Sequence, residues 1–242
     1  MIKGAFVMMD ALGFKAASRE HPGELLEKMH GLLKSAGWVE NLGQRLNQDG
    51  FSEVPQVTFL SDTIAIGLPI MVEARLQKTD IEHAVHALSL ASALAGSLIL
   101  KAGLAPLPMA YRGCVSFGEY EMNETFILGP AVNDAAEHYE LAECAAVWLT
   151  PTALTIWNEG APLADESTSR AMHPCAIPLK SGAVFESVAV NPFYNHTLPT
   201  AAERKSWIQS ILSTFRGPIS VHVKRQATAK LLATFDEALP VQ

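Results

Sequence analysis

The sequence predicts an α+β fold. Short β-rich apolar runs bounded by Gly, Pro or polar residues, such as Ala5–Met9 and Val57–Leu60, read as buried strands. Between them Leu25, Leu26, Met29, Leu32, Leu33 and Leu42 fall at helical spacing, and Ala84–Leu100 reads as a second, longer apolar helix. The resulting order is strand–helix–strand–strand–helix–strand, followed by a further helix and strands. That is the split βαβ arrangement of ferredoxin-like folds, βαββαβ.

Each element has a local reason. A short polar link follows Phe14, and Pro22 and Gly23 then stand where helices start, opening a helix from Glu24 to about Gln48. Gln48–Ser52 reads as a loop. Glu53–Leu60 and Thr63–Leu68 form a hairpin with Asp62 between them, and Pro69–Lys78 is a connector. Thr79-Asp80-Ile81-Glu82 is a capping box opening the long helix, which ends near Gly103. Met109–Phe117 alternates as a strand, Gly118–Glu124 reads as a turn, and Phe126–Leu128 as a short strand. Gly129-Pro130 starts a helix to about Ala142, Ala145–Leu149 is a core strand, and Thr150-Pro151-Thr152 caps a brief helix. Residues 158–170 are loop-like. Ala176–Leu179 and Ala183–Val190 form a hairpin turning at Lys180-Ser181-Gly182. From Thr200, two amphipathic helices are split by Gly217-Pro218. The expected division is one domain over residues 1–192 and a C-terminal helical extension over 193–242.

Composition narrows the function. Of 242 residues, 49% are hydrophobic and 18% charged, so a sizeable core is available. A formal net charge of −7, with no basic block, argues against a nucleic-acid surface. Cys114, Cys144 and Cys175 are too few and too scattered for a disulfide framework or a zinc site. The first strand begins close behind Met1, leaving no room for a secretory signal. Ala84–Leu100 carries His86, Ser89, Ser92 and Ser97 and reads as a buried helix rather than a membrane span. The expectation is a soluble, cytoplasmic protein with no membrane association.

Two aspartates stand out at the edges of apolar runs, Asp10 after Phe6-Val7-Met8-Met9 and Asp62 after Phe59-Leu60-Ser61. A carboxylate at the end of a core strand faces a desolvation cost unless something pairs with it. Two on adjacent strands repel, and a divalent cation makes that arrangement favourable. The competing reading is that each merely caps a turn or helix. Arg112 is an arginine in an otherwise apolar strand, where an unpaired guanidinium is costly; an interior partner such as Glu119 or Glu137 is the structural explanation. His83 and His86 with Glu82 read as core or helix-surface residues rather than metal ligands.

These residues resemble a family. Phe6-x-x-x-Asp10-x-x-Gly13-Phe14 resembles the first metal-binding strand and loop of class III nucleotidyl cyclases, and Phe59-Leu60-Ser61-Asp62 their second metal aspartate. Tyr111-Arg112-Gly113-Cys114-Val115-Ser116-Phe117-Gly118-Glu119 is similar to their arginine-containing strand and Gly-Glu turn. Gly129-Pro130-Ala131-Val132-Asn133-Asp134-Ala135-Ala136 is similar to the motif carrying a catalytic asparagine, and Ile177-Pro178-Leu179-Lys180-Ser181-Gly182 to a late Leu-Lys-Gly hairpin. The motifs span roughly residues 4–190 in family order.

The resemblance implies that a nucleoside triphosphate cyclises, its 3′ hydroxyl attacking the α-phosphate and expelling pyrophosphate. It assigns two Mg²⁺ or Mn²⁺ ions per site to Asp10, Ala11 and Asp62. It places the terminal phosphates on the turn at Gly13, Phe14 and Lys15. It implies a homodimer with composite active sites, Asn133 coming from the second subunit to orient the ribose.

The departures are informative. Where purine-using members carry a lysine, this chain has Thr58; where they carry a base-reading aspartate, Phe126; where they carry a transition-state arginine, Glu137. Arg112 is the first substitute cation, ahead of Lys180 and Lys15. The altered base pocket, with Ser-Asp-Thr and Gly-Pro-Ala sequences, resembles the pyrimidine cyclases of the bacterial Pycsar anti-phage system. UTP or CTP is the implied substrate, with Thr58 at the base edge and Phe126 stacking or filling. The alternatives are a purine cyclase with a divergent pocket and a non-catalytic module that binds a nucleotide or partner.

Overall fold

A computed structural model describes residues 1–34, 55–70, 79–123, 126–163, 170–194, 198 and 200–237. It is organised on one eight-stranded sheet in the order β2-β3-β1-β4-β6-β8-β7, with β5 attached to β4 off that path. The strands are β1 (Ile2–Leu12), β2 (Gln56–Leu60), β3 (Thr63–Pro69), β4 (Ala110–Met122), β5 (Ile127–Leu128), β6 (Val147–Leu149), β7 (Met172–Pro178) and β8 (Val184–Val190). The helices are α1 (Phe14–Glu20), α2 (residues 22–34), α3 (Asp80–Ala102), α4 (Pro130–His138), α5 (Pro151–Gly160), α6 (Ala201–Ser213) and α7 (Ile219–Glu237). In the first half, β2-β3-β1-β4 run antiparallel at every contact, which is the ferredoxin-like order the sequence predicts. β6 then adds parallel to β4, and the β7–β8 hairpin extends the sheet.

The axis of the molecule is the β1–β4 pair, in register from Ile2↔Tyr120 to Leu12↔Ala110. Side chains alternate across a strand, so this register assigns each residue to a face. On one face Cys114 donates to Ala135 O and Ser116 to Ala131 O, so even-numbered residues of β4 meet α4. On the other, Tyr111 lines a small cavity together with Ile99 of α3 and Trp207 and Ile211 of α6.

α3 is the core helix. Its capping box is formed as the sequence predicts, Glu82 N donating to Thr79 Oγ1 at 3.4 Å and Thr79 N to Glu82 Oε2 at 2.6 Å. From Ala84 to Ala102 every residue but His86 and Lys101 is buried. By length and composition alone α3 could cross a membrane, but here it is covered by β1, β3, β4 and α5. The two C-terminal helices pack onto the same core: Trp207, Ile211, Phe215, Leu231, Leu232 and Phe235 are buried.

Several expectations are corrected. The polar link after Phe14 is a helix, α1, which buries none of its seven residues and so leaves no apolar periodicity to read. Gly118–Met122 is not a turn but the continuation of β4, paired to β1 through Glu119↔Lys3 and Tyr120↔Ile2. α4 stops at His138, four residues short of the expected end, and α5 extends to Gly160. Residues 161–163 form a 3-10 turn rather than open loop. β7 starts at Met172, ahead of the expected Ala176. The expected helix end and loop over 35–52, the start of the Glu53 strand and most of the 69–78 connector lie outside the described residues.

Candidate active site

Asp10 projects from the end of β1 and Asp62 from the tight turn joining β2 to β3. The turn is closed by Ser61 at φ 60 and tied to the neighbouring strand, Ala11 N donating to Asp62 O at 2.8 Å. Asp10 pairs with Thr63, the residue next to Asp62, in the β1–β3 register. The two aspartates therefore lie on adjacent central elements. Their charges feel one another, since Asp62 pushes the Asp10 carboxyl upward.

Opposite Asp10 in the β1–β4 register stands Arg112. Its Nε donates to Asp10 Oδ1 at 3.4 Å and its Nη2 to Oδ2 at 3.2 Å, a forked ion pair with side chains 7% and 15% exposed. Burial raises the Asp10 carboxyl above its ordinary 3.8 by more than Arg112 lowers it, with smaller upward pushes from Glu140 and Asp62. The charged form of Asp10 is thus disfavoured chiefly by its burial, which Arg112 does not fully offset alongside the neighbouring carboxylates. The sequence expected Glu119 or Glu137 as the interior partner of Arg112. Neither takes that place, and the partners are Asp10 itself and Glu140.

Glu140 lies just past α4; the sequence reads Glu137-His138 and Tyr139-Glu140 as a solvated helix face or dimer rim, but the helix ends at His138 and Glu140 turns to Arg112. Arg112 Nη1 donates to Glu140 O at 3.4 Å, and Nη2 lies 3.9 Å from Glu140 Oε1. Lys180 Nζ, from the β7–β8 turn, is 3.9 Å from Glu140 Oε2. Burial first, then the Arg112 charge, push the Lys180 ammonium below its ordinary value. Asp10, Arg112, Glu140 and Lys180 form one alternating chain of charges. Beneath it, burial and then the two aspartate charges raise the Tyr111 phenol.

No protein-family model matches the sequence, and no curated protein sequence matches it. The chain is similar to solved structures of nucleotide cyclase domains. One is a non-canonical dimeric guanylyl cyclase domain of the RhoGC fusion protein from the aquatic fungus Blastocladiella emersonii, at 8% identity and TM-score 0.48, covering 78% of this chain and 96% of that one. Another is the catalytic core of a rhodopsin-guanylyl cyclase with converted specificity in complex with ATPαS, at 10% identity and TM-score 0.48, covering 78% and 95%. A third is the adenylyl cyclase CyaB from P. aeruginosa, at 14% identity and TM-score 0.46, covering 78% and 94%.

Of the remaining predicted site residues, Gly13–Lys15 and Thr58 lie near this centre, whereas Phe126 stands beyond Met122 at the opposite end of β4 from Arg112 and is not brought to the aspartates or to Thr58 within one chain. Gly13 takes φ 81, a left-handed conformation that glycine accepts without strain, and turns the chain from β1 into α1. Phe14 is half-buried and Lys15 exposed beside it. Thr58 is half-buried on β2, pairing with Ala65. Phe126 is 47% exposed, so it is not an ordinary core residue. Asn133 and Glu137 are both exposed on α4. Asp134, the neighbour of Asn133, is anchored inward, accepting from Thr150 Oγ1 at 2.6 Å and lying 3.3 Å from His138 Nδ1.

Proposed function

We propose that this chain is a metal-dependent nucleotidyl cyclase acting as a homodimer. The observation that carries this reading is the pair Asp10 and Asp62, set on adjacent central elements at the ends of apolar runs. The order of the surrounding motifs supports it. Mg²⁺ or Mn²⁺ fits the donor set: hard carboxylate oxygens from Asp10 and Asp62 with the backbone of Ala11, the remaining positions going to water and phosphates. Such an ion, when bound, stabilises charge on the phosphates and acidifies the attacking hydroxyl. Among the described residues no cluster of three or more His, Cys, Asp or Glu side chains offers a competing site.

The protein's own residues do the positioning. The Gly13-Phe14-Lys15 turn stands beside Asp10 and receives the terminal phosphates. Asn133 orients the ribose across the twofold axis, making two composite sites. By sequence position Thr58 and Phe126 replace the lysine and aspartate that purine-using members carry, and the proposed substrate is a pyrimidine triphosphate, yielding cyclic UMP or cyclic CMP. A signalling role in anti-phage defence follows from the same resemblance.

One observation favours a second reading, a cyclase-like module that binds a nucleotide or a partner without turnover. Glu137 replaces a transition-state arginine, and Arg112, the substitute expected from the sequence, is engaged with Asp10. The deciding experiment is incubation of the purified chain with ATP, GTP, UTP and CTP in turn, with Mg²⁺ or Mn²⁺, following cyclic product and pyrophosphate. Product from UTP or CTP supports the proposal, and product from ATP or GTP alone replaces its substrate. Nucleotide binding without pyrophosphate release favours the module. Neither binding nor product sinks both.

A further inference from the structure

Arg112 stands between two acidic partners of different character. Asp10 is deep, its side chain 15% exposed, whereas Glu140 is 55% exposed and lies on the loop beyond α4. The guanidinium reaches both, through Nε and Nη2 to the Asp10 oxygens at 3.4 and 3.2 Å and through Nη1 to the backbone carbonyl of Glu140 at 3.4 Å, with the Glu140 carboxylate 3.9 Å from Nη2. All three contacts are at or beyond the long end of the ordinary range for such bonds, so the fork is closed tightly on neither partner. Glu140 is steadied independently of Arg112, by Tyr139 Oη donating to its Oε1 at 3.1 Å and by Lys180 at 3.9 Å.

A divalent cation at Asp10 draws on the oxygens the guanidinium engages, and its charge repels the guanidinium at that range. The two therefore oppose one another at this carboxylate. From this geometry we propose that Arg112 is a latch on Asp10. It competes with the divalent cation for that carboxylate, and Glu140 is the seat that takes the guanidinium when the cation binds. The latch keeps the buried carboxylate partly neutralised without metal, and opening it needs only a shift toward a carboxylate already 3.9 Å from Nη2. In this role Arg112 acts through Asp10, as a positioning residue. The inference rests on the reading of Asp10 and Asp62 as metal ligands, and its test separates the two.

The test is Mn²⁺ binding to the full chain without nucleotide, followed by electron paramagnetic resonance. Arg112→Lys keeps the charge but not the planar fork. It is expected to bind Mn²⁺ about tenfold more tightly, as for loss of one charge-assisted hydrogen bond that opposes binding. Unchanged or weaker binding by Arg112→Lys overturns the latch and leaves the metal site standing. Wild-type protein with no Mn²⁺ binding sensitive to Asp62→Asn overturns the metal reading itself. Glu140→Gln is expected to weaken Mn²⁺ binding about threefold in the wild-type background and to have no effect in Arg112→Lys. Equal losses in both backgrounds mean a through-space charge effect, and the seat falls. Should Arg112→Lys not fold, the Nε–Hε resonance of Arg112 in wild-type protein decides. It is expected to shift on Mg²⁺ addition, and a resonance that stays in place overturns the proposal.

Discussion

Thr150 donates its hydroxyl to Asp134 Oδ2 at 2.6 Å and, with the same oxygen, accepts from Ala153 N at 3.3 Å. One fully buried side chain therefore ties the helix carrying Asn133 to the start of α5. Thr150→Val keeps the shape but orphans both partners, which costs about 1–3 kcal/mol. Thr150→Ser restores most of that, because it keeps the hydroxyl. Thermal unfolding of the three proteins checks this; equal midpoints for Val and Thr would refute the tie.

Asp10 and Asp62 are expected to differ in stability, whereas under the proposed function both substitutions to Asn are expected to abolish cyclisation. Asp10→Asn breaks a buried ion pair and leaves the Arg112 guanidinium with Glu140, 3.9 Å away, as its remaining acidic partner. The loss is about 3 kcal/mol, near the low end for such breaks because the amide oxygen still accepts one bond. The side chain of Asp62 is half-buried on a turn, and its structural bond is made by its backbone carbonyl. Asp62→Asn should change stability by less than about 0.5 kcal/mol. Denaturant midpoints measured beside activity separate the two, and an Asp62→Asn protein as destabilised as Asp10→Asn would contradict this account.

His173 on β7 packs edge-on against Phe235 of α7, ring centroids 5.3 Å apart, and burial pushes its imidazole below the ordinary 6.5. The unfolded chain therefore binds a proton at higher pH than the folded one. Stability from this group is complete above pH 6.5 and is lost as the pH falls from 6.5 through the depressed folded value. Unfolding should become easier over that acidic window in wild-type protein, with the His173 share of the slope absent in His173→Gln. Identical pH slopes for the two would show that His173 does not titrate against the fold.

What the sequence disclosed and what it hid follow a physical division. The capping box at Thr79 and Glu82 was legible because its partners are three residues apart. Asp10 and Asp62 were legible because each ends an apolar run, and the strand order brings them together. Glu140 was not, because its tie to Arg112 depends on where α4 ends relative to β4, and helix ends are weakly encoded. β4 was cut short at Gly118, which reads as a turn; in the fold that glycine lies beside Ala131 of α4. The partner of Arg112 was misassigned because Glu119 is close in sequence, whereas Asp10 is brought opposite Arg112 by the long β1–β4 register.

The C-terminal helices are held at one point where room is decisive. Trp207 of α6 is buried, and its Nε1 donates to Leu100 O of α3 at 2.8 Å. Gly103, just beyond α3, has φ −75, which any residue adopts, so the glycine is there for space. A Cβ on it would stand 2.3 Å from the Trp207 ring. Gly103→Ala should therefore destabilise the protein, although alanine is otherwise the better helix former. Trp207→Ala alone should cost about 3–5 kcal/mol through the cavity and the lost burial. With the ring gone the clash is gone, so adding Gly103→Ala to Trp207→Ala should cost nothing further or recover stability. A double-mutant cycle by thermal unfolding reads this coupling directly, and additive losses would place the glycine's role elsewhere.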